Sequence, residues 1–182
     1  INSIRLEGRS KPFEKKRSIA KLVLKTLAQR GRLIRTLDNT IYFFDAIKKT
    51  LEPIDGEEFR SALYNQFGLN PTEEDTRFVE RELKTSGMCQ GERAEVRSLS
   101  YWSEKDKSLY VSQNNGTIFR LDGETISTHD NGTDGVLFLS DRRADQVQPD
   151  FDAQIENFAA VFDGLSLAGD GASKSKAFIA AG

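Results

Sequence analysis

The sequence predicts an α+β fold of two small lobes, each a helix or two followed by an antiparallel β-meander, with one more helix at the C-terminal end. Three observations carry this reading. Apolar residues recur at helical spacing around residues 13–29, 55–67 and 72–83. Short alternating runs separated by Asn, Asp and Gly turn signals follow each helical stretch. Finally, Thr40-Ile41-Tyr42-Phe43-Phe44-Asp45, with Thr50-Leu51 and Asp55 beyond it, parallels Thr117-Ile118-Phe119-Arg120-Leu121-Asp122, with Thr125-Ile126 and Asp130 beyond it. The parallel reads as an internal duplication of a helix-plus-meander unit. The expected lobes cover residues 1–70 and 71–140, and 141–182 is read as a C-terminal helix and a linker toward a further domain.

The first helix is expected over 13–29, where Ile19, Leu22, Val23 and Leu27 form one apolar stripe and Arg17, Lys21 and Lys25, four apart, share another face. Gly31 is expected to stop it in the left-handed conformation. Strands are expected at 33–37, 41–44 and 50–54, with Asp38-Asn39 as a tight turn and Pro53 near an edge. Asp55 and Glu58 have the spacing of a capping box for the next helix, which buries Phe59, Leu63 and Phe67 and ends at Gly68. Thr72, followed by Glu73, Glu74 and Asp75, is expected to open a third helix with its carboxylates against the positive end of the helix dipole.

After Gly91 the pattern turns to strands, expected at 94–102, 108–113, 117–121, 124–128 and 136–139. Asn114-Asn115-Gly116 marks a hairpin, because Asn and Gly tolerate positive φ. Asn115-Gly116-Thr117 and Asn131-Gly132-Thr133 match a glycosylation triplet but are read as turns. Phe151, Ile155, Phe158, Ala159 and Phe162 outline the last amphipathic helix.

Seventeen aromatic residues (twelve Phe, four Tyr, one Trp) provide enough apolar surface to offset chain entropy. No apolar run reaches the roughly 20 residues a spanning helix needs. No membrane partner is expected, and the default localisation is cytoplasmic. The chain begins at Ile1 without Met and stops at Gly182 inside an Ala-rich stretch, so it is read as a piece of something larger. One cysteine, Cys89, excludes an internal disulfide, and with one histidine, His129, it cannot complete a zinc site. No cofactor is expected. Gly169 to Ser175 is set against the phosphate-loop pattern, but Ala168 and Ser173 occupy its two glycine positions. His129 beside Asp130 and Asp134 lacks a second histidine or an acidic triad, so it is read as part of a polar turn, and no enzyme is expected. Tyr42, Phe43 and Phe44 are read as core aromatics in preference to a stacking platform.

Charge is what points to a partner. The first 35 residues hold eleven basic side chains against Glu7 and Glu14, a local +9, whereas the other 15 basic and 26 acidic residues sum to −11. Such asymmetry fits a polyanion at one end of the molecule. The expected nucleic-acid contacts are Lys15, Lys16, Arg17, Lys21, Lys25, Arg30, Arg32 and Arg35, with the 32–44 hairpin as a wing beside the helix. The alternative is an assembly module, a homo-oligomer in which the basic face of one copy meets the acidic remainder of the next.

Four segments carry a resemblance: Gly31-Arg32-Leu33-Ile34-Arg35-Thr36, Phe67-Gly68-Leu69-Asn70-Pro71-Thr72-Glu73, Ser108-Leu109-Tyr110-Val111-Ser112, and Asn131-Gly132-Thr133-Asp134-Gly135-Val136-Leu137-Phe138. Over about residues 31–140 their order resembles the N-terminal, non-catalytic region of phage- and plasmid-type replicative helicase or helicase-primase ATPases. These motifs are turn and strand signatures, and no Walker loop, primase acidic pair or zinc-binding cluster accompanies them. The resemblance implies an accessory domain whose partner is an ATPase domain downstream on the same polypeptide.

Overall fold

The computed structural model describes residues 1–6 and 11–141. The expected C-terminal helix, its linker and the 169–175 loop lie outside the described residues. The fold class is α+β, as the sequence predicts. Helices α1 (Asn2–Leu6) and α2 (Pro12–Arg30) lead into β1 (Gly31–Arg35), β2 (Ile41–Asp45) and β3 (Thr50–Pro53). Helices α3 (Glu57–Phe67) and α4 (Glu74–Gln90) follow, then β4 (Glu92–Arg93), β5 (Val96–Arg97), β6 (Ser100–Ser103), β7 (Ser108–Ser112), β8 (Thr117–Leu121), β9 (Ile126–Asp130) and β10 (Leu137–Phe138).

Two four-stranded sheets result, ordered β3-β2-β1-β4 and β6-β7-β8-β9, and β10 and β5 form a short parallel pair. Both paralleled segments, β2 and β8, are inner strands of antiparallel meanders. The surroundings differ. Strand β2 has consecutive large apolar residues because both of its faces are covered. Ile41 and Phe43 pack with Ile19, Ala20, Val23 and Leu27 of α2, Phe59 and Leu63 of α3, and Val79 and Leu83 of α4. Phe44 points the other way, into a cluster with Ile34, Leu51 and Leu137. The period-2 alternation of a strand assigns the neighbours Phe43 and Phe44 to opposite cores. A third cluster, Tyr110, Ile118, Val136 and Phe138, belongs to the second meander. Strand β10 is the seam: Leu137 joins one cluster, and Val136 and Phe138 the other.

The expected boundary at residue 70 therefore falls inside a shared core. Helix α4 packs on α2 and the first sheet, and β4 pairs in parallel with β1, Ile34 opposite Glu92. Among the described residues the second meander carries no α-helix of its own, only a single 3-10 turn at Thr133–Gly135. Further ties join the two meanders. Leu51 N donates to Ser140 Oγ at 3.0 Å, Ser140 N to the Leu51 carbonyl at 2.9 Å, and Lys49 pairs with Asp130 at 3.5 Å. Buried Asn131 donates from Nδ2 to the Phe138 carbonyl at 2.7 Å and accepts from the Phe138 amide at 2.8 Å, which clamps β10 against the loop after β9.

Several local expectations change. The capping box at Asp55 does not form: the residue before α3 is Gly56, with no side-chain cap. Asn70, not Thr72, organises the entry to α4, its Oδ1 accepting from the Thr72 amide and hydroxyl, and the helix starts one residue later than a Thr72 cap predicts, with Glu73 in the capping position. Gly68 does end α3 in the left-handed conformation at φ 65°. Gly31 does not do so for α2. Its φ of −175° is extended, and the chain passes directly from helix to strand. Glycine is needed there for space, because an added Cβ would overlap the Phe44 carbonyl oxygen and stand 2.9 Å from the Phe43 ring.

Candidate nucleic-acid interface

Helix α2 turns its buried stripe of Ile19, Ala20, Val23 and Leu27 inward and leaves Arg17, Lys21 and Lys25 exposed on another face. At four-residue spacing these three stand about 6 Å apart along the helix axis. None has an ion pair among the described residues. Glu14 and Glu82 border the depression next to Arg17 and Lys21, without pairing with either. On the α4 side the row edges a groove of about 580 Å³, rimmed by Lys21 and Lys25 and floored by Leu24, Leu27, Leu33, Phe43 and Leu83.

The other five expected contacts are engaged within the fold. Lys15 donates to the Arg5 carbonyl at 3.1 Å. Lys16 pairs with Glu74 at 2.5 Å and holds that carboxyl below its usual range through the hydrogen bond it donates. Arg30 makes an ion pair with buried Asp45 and donates to Gln66 at 2.9 Å. Arg32 lies on the sheet face away from α2, its guanidinium 4.9 Å from the centre of the Phe44 ring and 2.8 Å from Glu92. Arg35 is turned to the helix side, where it donates to the Met88 carbonyl at 2.7 Å and to Asn39. Arg35 is thus held apart from the α2 row by its ties to Met88 and Asn39, and Arg32, although it borders the same groove as Lys21 and Lys25, is tied to Glu92 and the Phe44 ring. Nor is the 32–44 hairpin a free wing. Strand β1 lies between β2 and β4, and only the turn projects, with Leu37 95% exposed.

These ties consume much of the N-terminal +9. Arg5 also turns inward, to Glu73 at 2.5 Å and Asp75 at 3.4 Å. Among the described residues, what remains accessible is a short row on α2 and Lys11 at the helix N-cap. A charge count by position could not separate the cations that pair inside the fold from those that stay free. The i, i+4 spacing of Arg17, Lys21 and Lys25 was the signal that did.

His129 Nε2 is 2.8 Å from Ser127 Oγ, on β9 instead of in the expected turn. Its neighbouring acids are engaged separately, Asp130 with Lys49 and Asp134 with Tyr110. Burial, followed by the hydrogen bond it donates to Asp134, pushes the Tyr110 hydroxyl up to about 12. Among the described residues no group of three His, Cys, Asp or Glu could hold a metal ion. No described helix is long and apolar enough to cross a membrane. Phe43 and Phe44 are buried and Tyr42 is half-buried, in keeping with the core reading of the three. Set against family models, curated proteins and solved structures, the chain matches none of them.

Proposed function

We propose that this chain is a non-catalytic nucleic-acid-binding module that grips the phosphate backbone through Arg17, Lys21 and Lys25. One observation carries the reading: three cations in register on an ordered helix, exposed and without acidic partners among the described residues. A fixed row loses less entropy on binding phosphates than a loose basic arm does, and each phosphate it neutralises releases condensed counterions. Side chains placed for base readout are scarce, so binding is expected to be nearly independent of sequence. The resemblance of residues 31–140 supports reading the chain as an accessory domain of a cytoplasmic DNA-replication or mobile-element ATPase, acting beside a motor on the same polypeptide.

The test is fluorescence anisotropy with a labelled oligonucleotide at low salt. The wild-type chain should bind in the micromolar range, and the triple variant Arg17→Glu, Lys21→Glu, Lys25→Glu should lose about two orders of magnitude in affinity while its circular dichroism stays native. Equal binding by a folded triple variant would contradict the proposal. Salt-reversible self-association of the wild type, with no affinity for the oligonucleotide, would point to the assembly module instead.

A further inference from the structure

The row on α2 does not begin with a charge. Phe13 lies four residues before Arg17, so Phe13, Arg17, Lys21 and Lys25 follow one line along the helix. Phe13 is 63% exposed, an unusual position for a phenyl ring. It is held in place by an edge-to-face contact with Phe78 of α4, with ring centres 5.8 Å apart and planes at 88°. A fixed aromatic ring open to solvent and in line with a row of cations is the pair of features that single-stranded nucleic acid uses, one for a base and the other for its phosphates.

The charge distribution argues against a duplex. A helix seated in a duplex groove has phosphates on both sides, one strand each. On α2 the free cations keep to the side nearest α4, whereas the opposite flank presents Leu22 and Thr26, Lys15 there is tied to the Arg5 carbonyl, and one exposed cation, Lys11, stands at the N-cap before it. One line of charge suits one strand. The apolar-floored groove beside Lys21 and Lys25 gives unpaired bases a surface that a duplex would keep covered by pairing. From Phe13 to Lys25 the row spans about 18 Å, on the order of four nucleotides.

We infer that the α2 row is a single-strand site, in which the backbone runs along Arg17, Lys21 and Lys25 and one base stacks on Phe13. The inference rests on the backbone-binding reading above and adds the strand type. The experiment compares a labelled 12-nucleotide oligo-dT with a 12-base-pair duplex at equal salt, using wild type, Phe13→Ala, Phe13→Leu and Phe13→Trp. The single strand should bind at least about 5-fold tighter than the duplex. Phe13→Ala and Phe13→Leu should weaken single-strand binding by roughly 5- to 100-fold and leave duplex binding unchanged, whereas Phe13→Trp should keep it. Phe13→Leu retains an apolar side chain against Phe78, so its loss would report stacking and not unfolding. Equal or tighter duplex binding, or single-strand affinity unmoved in Phe13→Leu, overturns the strand assignment and leaves the backbone reading standing if the triple charge variant still fails to bind. Absence of binding to either oligonucleotide overturns both.

Discussion

Replacing Gly31 with alanine should destabilise the fold by about 3 kcal/mol, a drop of roughly 6–12 °C in Tm for a chain of this size. The backbone conformation is not the cause, since φ −175° suits any residue. The cause is the closeness of β2. An alanine Cβ would overlap the Phe44 carbonyl oxygen and crowd the Phe43 ring, and neither can retreat. The carbonyl belongs to a strand hydrogen-bonded on both sides, and Phe43 is packed among α2, α3 and α4. Close packing turns such an overlap into a displacement of the strand. Gly68→Ala is the matched comparison, because that residue has a left-handed φ of 65° with nothing within 4 Å of an added Cβ. It should cost about 1 kcal/mol. Denaturant melts of both variants check the ranking, and a larger loss for Gly68→Ala than for Gly31→Ala would contradict it.

Removing the Asp45 carboxylate should cost a comparable amount, about 3 kcal/mol for Asp45→Ala at neutral pH. Asp45 sits at the end of β2, 4% exposed, and accepts from the Ile47 and Lys48 amides, each at 3.0 Å, and from Arg30. Burial pushes its carboxyl up, but the Lys48 amide, Arg30 and the Ile47 amide together outweigh burial and hold it below the usual carboxylate range. A carboxyl lowered by folding contributes its stability above the unfolded value, about 3.9, and loses it as pH falls through the folded value. The gap between wild type and Asp45→Ala should therefore be constant above about pH 5 and narrow below about pH 4. Urea melts at pH 7 and pH 3 measure it. A gap of the same size at both would show that the ionised carboxylate is not what matters.

Much of the fold was legible because its period signals were local. Of the expected stripe, Ile19, Val23 and Leu27 are buried and Leu22 is 38% exposed, which still sufficed to mark α2, and the turn residues Asn39 and Asn114 do adopt the positive φ their composition predicts. The similarity of 40–45 and 117–122 correctly paired two inner meander strands. What it could not show was that α4 would leave the second meander for the first core, since Val79 and Leu83 make the same apolar stripe whichever sheet they cover. Gly31 was misassigned for a similar reason: a glycine after a helix signals the left-handed cap, but close approach to another strand demands the same residue and depends on tertiary structure. The same holds at the site. The spacing of Arg17, Lys21 and Lys25 placed them on one exposed face of α2, whereas the ties of Arg30, Arg32 and Arg35 to Asp45, Glu92, Met88 and Asn39 depend on tertiary structure.

The central claim, that a short row of free cations on α2 binds nucleic-acid phosphates, is tested most directly by the salt dependence of oligo-dT affinity. Three cations each neutralising a phosphate of a single strand predict that log Kobs falls against log salt with a slope of about −2. A slope near zero, or one unchanged in the triple Glu variant, would contradict it.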